Sequence, residues 1–349
     1  MARGLIEIFK YMLPIFVLVD TALTLYASLH APFPLLVPLG SPTAYINIYI
    51  HVPMAWASYM LFTGALISAI LFLWRGIEKY DRLVYGFAFI GIIYAIATTF
   101  SGSAWASESW GSPWNWDPRE TGIVLLLLAY SVYFAIRSSI PDPDRASRLS
   151  AVYAIAAYST VPLSFLAPSI AGGLHPTPKA TAGLFSHSEV VAIFTAKLLL
   201  ASVIAIGLAV LASNKANLGK LLDRKGKTLY AVTGLASIIV AIAALVILVL
   251  PYIEGNVDRV LAANISNGLI TSVSLSSGKS LVFKHPVKSP ISPAVIEVEG
   301  KPMPTIVGHI VQITNSGIKI VIHWSVAVNV LLYLSVVGLL MLLIARWAK

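Results

Sequence analysis

The chain has 349 residues, 58% of them hydrophobic and only 11% charged, with no cysteine and a net charge of +9. A soluble domain carries about 25% charged residues, so a soluble enzyme is excluded, and so is a disordered chain, which needs low hydrophobicity and high charge. The absence of thiols excludes disulfides, thiolate metal sites, thiol catalysis and cofactors attached through thioethers.

A bilayer-spanning helix needs about 20 mostly apolar residues. In chain order such runs fall at 11–29, 52–74, 83–104, 121–137, 150–170, 188–212, 228–252 and 324–345. They predict an all-α polytopic membrane protein with eight transmembrane helices. The first run is too long for a cleaved signal peptide, and no small-residue cleavage site follows it. Basic residues orient the spans. Fifteen of them lie before span 1, in the loops after spans 2, 4 and 6, and after span 8. The short loops on the other side carry only Arg119 and Lys179. By the positive-inside rule both termini are cytoplasmic and the chain sits in the plasma membrane. The basic surplus is then a topology signal that also attracts anionic membrane lipid; it is not a nucleic-acid footprint.

Residues 253–322 read differently. Strand-like stretches at 269–275, 280–283, 294–298, 306–313 and 317–322 are punctuated by Asn267-Gly268, Ser277-Gly278 and Asn315-Ser316-Gly317. This pattern predicts a small outer β-rich domain between the last two spans. The expected organisation is a six-span core over 1–212, a cytoplasmic loop and span 7 over 213–252, the β-rich domain over 253–322, and span 8 with a cytoplasmic tail over 323–349.

All seven histidines (His30, His51, His175, His187, His285, His309, His323) fall on the outer side of this topology. Imidazole is the commonest metal ligand, and without thiolates a metal or heme iron here would need nitrogen or oxygen ligands. Four of the eight tryptophans, Trp105, Trp110, Trp114 and Trp116, fall within twelve residues of a loop expected over 105–120. An interfacial aromatic belt accounts for one or two per helix end. Four clustered indoles make an apolar, flat-walled platform suited to a large planar ligand. A tetrapyrrole fits, with Arg119 placed to pair with a propionate. Asp117-Pro118-Arg119-Glu120 also has the form of a helix start, with Asp117 as N-cap, Pro118 at the first position and Glu120 closing a capping box. Ser186-His187-Ser188-Glu189 has the same form at span 6, which makes His187 a helix-start residue.

Trp110-Gly-x-x-Trp114-x-Trp116-Asp117-Pro118-Arg119-Glu120 resembles the tryptophan-rich WWD signature of the cytochrome c assembly family, whose heme-handling branches are CcmC, CcmF and CcsA. His51-Val52-Pro53-Met54-Ala55-Trp56 resembles the first histidine region of the CcmC branch, and Leu174-His175-Pro176 its second. The resemblance spans roughly residues 5–212. It implies that heme is held non-covalently and transiently as b-type heme, with His51 and His175 as axial iron ligands. The platform it implies is Trp105, Trp110, Trp114, Trp116, Asp117 and Arg119. It implies heme transfer for cytochrome c maturation rather than catalysis, beside ABC transporter subunits, toward a CcmE-like heme chaperone or apocytochrome c. The chain departs from a six-span CcmC in spans 7 and 8 and in the outer domain, where His285 and His309 offer a second place to receive heme. Asp-Pro-Arg-Glu-Thr looks more like the CcsA and CcmF form. A CcsA-type heme transporter and attachment subunit therefore stays open as an alternative, as do a permease or sensor unrelated to heme and a structural subunit. Asp20 in span 1 and Lys197 in span 6 are costly intramembrane charges and are expected to pair.

Overall fold

The computed structural model describes residues 2–32, 42–177, 188–267, 269–287, 296–298, 301–303, 306–314 and 317–348. His187 and Lys179 lie outside the described residues. The helices, in order, are α1 (Ala2–His30), a 3₁₀ segment Pro42–Tyr49, α2 (His51–Arg75), α3 (Glu78–Trp110), α4 (Pro118–Ser139), α5 (Pro143–Ala157) and α6 (Thr160–Ala171). After them come α7 (Ser188–Ser213), the short α8 (Leu218–Leu221), α9 (Arg224–Ile253) and α10 (Trp324–Trp347). Eight segments are long and apolar enough to cross a membrane, with α5 and α6 counting as one, so this is a multi-pass membrane protein.

Two of the expected boundaries change. The stretch expected as a loop from residue 105 is helical up to Trp110, because Ala104–Trp110 contains no glycine or proline to stop it. Gly111 ends α3 in the left-handed conformation at φ 77°, with its N–H bonded to the Ser107 carbonyl. Trp105 and Trp110 are therefore helix residues; only Trp114 and Trp116 lie in the connecting loop. The fifth span breaks at Tyr158–Ser159. Pro162 removes the N–H that would bond the Tyr158 carbonyl, and its ring crowds that carbonyl.

Two apolar cores share α2 and α3 as a common wall. One gathers residues of α1, α2, α3, α7, α9 and α10, and the other packs α2 and α3 against α4 to α6. Helices α9 and α10 approach closely where Gly234 faces Gly338. A Cβ on Gly234 would sit 2.6 Å from the Gly338 carbonyl oxygen, so small residues set this contact as they do in other membrane bundles. The Asp20–Lys197 pairing expected from sequence is present. Lys197 Nζ donates to Asp20 Oδ1 at 2.6 Å and to Thr24 Oγ1 at 2.5 Å, and Tyr333 of α10 donates to Asp20 Oδ2 at 2.6 Å. One buried cluster thus joins spans 1, 6 and 8.

Between α9 and α10 the chain forms an antiparallel five-stranded sheet in the order β3-β2-β1-β6-β7. Its strands are β1 (Val257–Ser266), β2 (Leu269–Leu275), β3 (Ser280–Val287), β6 (Ile310–Thr314) and β7 (Gly317–Ile320), and a separate hairpin pairs β4 (Ile296–Val298) with β5 (Lys301–Met303). A small β-rich unit between the last two spans is as expected, but its longest and central strand, β1, is not among the predicted stretches. Asp258, Arg259, Ala262, Ala263 and Asn264 have weak strand propensity. Register shifts on either side of Ala262–Asn264 also break the period-two pattern. Val260, Ile270, Val273, Leu275, Ile306 and Val311 form its small core.

Candidate functional site

His51 opens α2 and His175 follows α6, and both line one cleft at the end of the bundle that carries the Trp114–Trp116 loop. The cleft is partly open, with a cavity volume of about 100 Å³. Its walls are mainly apolar and aromatic: Val52, Ala55, Trp56, Tyr59, Ile123 and Phe165, with Trp114 at the loop.

Each imidazole is held through Nδ1. His51 Nδ1 lies 2.6 Å from Ser101 Oγ, and His175 Nδ1 lies 2.7 Å from Asp117 Oδ1. Neither Nε2 has a hydrogen-bond partner among the described residues. Tying one ring nitrogen to an oxygen orients the ring and leaves the other nitrogen for a metal, the usual outer-shell arrangement of histidine ligands. Gly102 leaves room for the first ring: a Cβ there would stand 3.0 Å from His51 Cε1.

Asp117 organises the second half of the site. It N-caps α4 by accepting the Arg119 N–H at 2.9 Å, and Glu120 closes the capping box through the Asp117 N–H at 3.2 Å. The same carboxylate accepts the Leu174 N–H at 2.5 Å and the His175 N–H at 3.3 Å, pinning the second histidine loop onto the start of α4. This approach needs Gly173, where φ is 134° and any Cβ would collide with Asp117. Burial alone raises the Asp117 carboxyl. The hydrogen bond and charge of His175, with the N–H groups of Arg119 and Leu174, outweigh that and hold it well below the usual carboxylate range. Arg119 is also drawn inward. Its guanidinium donates to the Phe165 carbonyl at 3.2 Å and lies over the Phe165 ring. Its buried Nε has no partner among the described residues. A buried cation with a spare donor suits an anionic group such as a carboxylate.

The tryptophans divide by position. Trp114 lines the cleft. Trp105 stands edge-on to His51 with ring centroids 5.6 Å apart, and Trp110 edge-on to His175 at 4.8 Å. Trp116 packs edge-on to Trp114, is 73% exposed, and has a φ of 55° that a bulky side chain rarely adopts. Trp105 and Trp110 thus back the histidines from behind, while Trp56, Tyr59 and Phe165 supply the aromatic walls. Trp56 sits in the His51 motif. Phe165 carries no sequence signal, because its place depends on the break that separates α5 from α6.

Residues 4–175 match the family described as Cytochrome C assembly protein. Among curated proteins, the chain is 31% identical to Heme exporter protein C of Rhodobacter capsulatus over 105 residues, which cover 30% of this chain and 43% of that protein. It is 31% identical to Heme exporter protein C of Bradyrhizobium diazoefficiens over 117 residues, 33% of this chain and 44% of that one. It is 33% identical to Cytochrome c biogenesis protein CcsA of Thermosynechococcus vestitus over 99 residues, 28% of this chain and 30% of that protein. The chain therefore spans less than half the length of these curated relatives. The matched family segment contains His51, the tryptophan cluster, Asp117, Arg119 and His175 within one stretch, and over residues 4–175 this chain is similar to the cytochrome c assembly protein family.

Proposed function

We propose that this protein holds heme on the outer face of the membrane, between His51 and His175, and passes it on for cytochrome c maturation. The observation that carries this reading is that both imidazoles open onto one apolar cleft with Nδ1 tied and Nε2 unbonded among the described residues. Heme is cargo in this reading. When bound it supplies an iron that takes two axial nitrogens and carboxylates that seek a cation. Ser101 and Asp117 hold the two rings in the tautomer that presents a lone pair at Nε2. Arg119 receives a propionate, Trp114 and Phe165 exclude water, and Trp105 and Trp110 keep the imidazoles from turning. Two imidazoles without a covalent link suit release as well as capture. The basic loops at the opposite end of the bundle support the outer location. A membrane-anchored heme chaperone of the CcmE kind, working beside ABC transporter subunits, is the acceptor this reading favours.

A second reading has a specific observation behind it. Asp117-Pro118-Arg119-Glu120-Thr121 has the CcsA form. Delivery straight to apocytochrome c would then replace delivery to a chaperone. Absorbance spectra of the detergent-purified protein, oxidised and reduced, beside His51→Ala and His175→Ala, test the site itself. A Soret band with low-spin bis-imidazole features, lost or shifted in both folded variants, is expected. A wild type that is colourless and takes up no added heme would overturn the proposal.

A further inference from the structure

The segment beyond residue 175 contributes to the outer site in a way that the family-matched part does not contain. The last turns of α3 carry Trp105 and Trp110, the two rings set edge-on behind His51 and His175. Between them on the same helix end lies Glu108. Its Oε2 meets Nε2 of His323, the residue that precedes α10; His323 is buried and Glu108 largely so. His323 is tied in turn to the outer module. The Tyr252 hydroxyl at the end of α9 donates to the neighbouring Ile322 carbonyl at 3.1 Å, and the Val321 N–H donates to Ile310 of β6 at 2.8 Å.

The first turns of α10 also grip the other support of His51. Asn47 donates to Ser325 Oγ at 2.8 Å, and Asn329 donates to Asn47 Oδ1 at 2.6 Å. Asn47 lies in the 3₁₀ segment whose Tyr45 packs edge-on to Trp105. Glu108 Oε1 and His323 Nδ1 have no hydrogen-bond partner among the described residues, so this contact is the one polar contact described for each side chain. Breaking it orphans a buried polar group on both sides, which favours movement of the helix end over retention of its geometry.

We propose that Glu108 and His323 are positioning residues of the outer site, through which the last span and the outer sheet hold the end of α3 that backs both imidazoles. The proposal rests on the heme reading above. The outer module then sets how firmly heme is kept, and a partner that moves the sheet changes heme release without touching the cleft.

The test uses the full-length protein in detergent with fluorotryptophan incorporated, as wild type, His323→Ala, His323→Gln, Glu108→Ala and Glu108→Gln. Heme loss to excess apomyoglobin and fluorine NMR of the tryptophans are read together, with thermal unfolding as the control for fold. The alanine variants are expected to lose heme about tenfold faster, the usual scale for losing a group that orients a metal-binding histidine. The Trp105 and Trp110 resonances shift, while that of Trp74 at the far end of α2 does not. Glu108→Gln, which keeps a hydrogen-bonding group, stays nearest to wild type. A purely structural role would lower the melting temperature and leave the heme-loss rate alone, and that result overturns the proposal. If His323→Ala does not fold, His323→Gln carries the same comparison. A wild type that binds no heme defeats the heme reading, and the tryptophan resonances then decide: unmoved Trp105 and Trp110 signals reject the positioning role.

Discussion

Asp117→Asn probes the site most directly, because one carboxylate serves both the cap of α4 and the placement of His175. Oδ1 accepts from the Arg119 N–H and from His175 Nδ1, at 2.9 and 2.7 Å. Oδ2 accepts from the Leu174 and His175 N–H groups, at 2.5 and 3.3 Å. An amide offers one acceptor and one donor in place of these two acceptors. Whichever way the substituted amide turned, one pair of donors would meet an N–H. With its nitrogen toward the ring, His175 would accept at Nδ1 and carry its proton on Nε2, the atom needed for iron. A hydrogen bond to a charged group contributes about 1.5–3 kcal/mol, and an orphaned buried donor costs about 1–3 kcal/mol. The loop relaxes part of this, so about 2 kcal/mol should reach heme binding, which is about 30-fold in Kd. Hemin titration followed at the Soret band measures it. Asp142→Asn is the control, since Asp142 also N-caps a helix that starts with proline, accepting the Arg145 N–H at 2.8 Å, away from the cleft. Asp117→Asn protein with wild-type affinity and an unchanged low-spin spectrum would refute the argument that the carboxylate sets the His175 tautomer.

Three further outcomes are expected. Lys197→Met strands Asp20 in the bundle and should cost about 3–5 kcal/mol in thermal unfolding, with Asp20→Asn/Lys197→Met recovering most of it; a double variant no better than either single one would show that the pair does not act as a unit. Burial and the charge of Arg259 lower His323 from its ordinary value to about 4. An imidazole that stays neutral when folded supports the fold fully above its unfolded pKa of ~6.5 and loses that support as pH falls toward the folded value. The slope of stability between those pH values should therefore flatten in His323→Gln, and an unchanged slope would assign it to another group. Gly102→Ala places a methyl against the His51 ring and should weaken heme retention by about tenfold without lowering the melting temperature much; equal retention would mean that the ring shifts without consequence.

The membrane architecture is legible along the chain itself, because a lipid environment demands long uninterrupted apolar runs and a biased distribution of Lys and Arg. These are one-dimensional properties. The tryptophan cluster, the two histidine motifs and the Asp117 cap are legible for the same reason, since each is carried by neighbouring residues. What Asp117 does beyond capping is not, because His175 lies far along the chain and reaches it only after α6 folds back onto the start of α4. The division of the tryptophans into wall and backing depends on where α3 stops, and that is decided by Gly111. The central strand β1 is hidden by residues of weak strand propensity, which adopt it because flanking strands pair on both sides. Sequence alone thus determined the spans, the family segment and the residues with metal-binding chemistry. Only the tertiary structure decided that Tyr333 joins the Asp20–Lys197 pair, that Glu108 meets His323, and that Ser101 and Asp117 hold the two imidazoles through Nδ1, because each of these contacts joins residues whose separation along the chain carries no signal of their proximity.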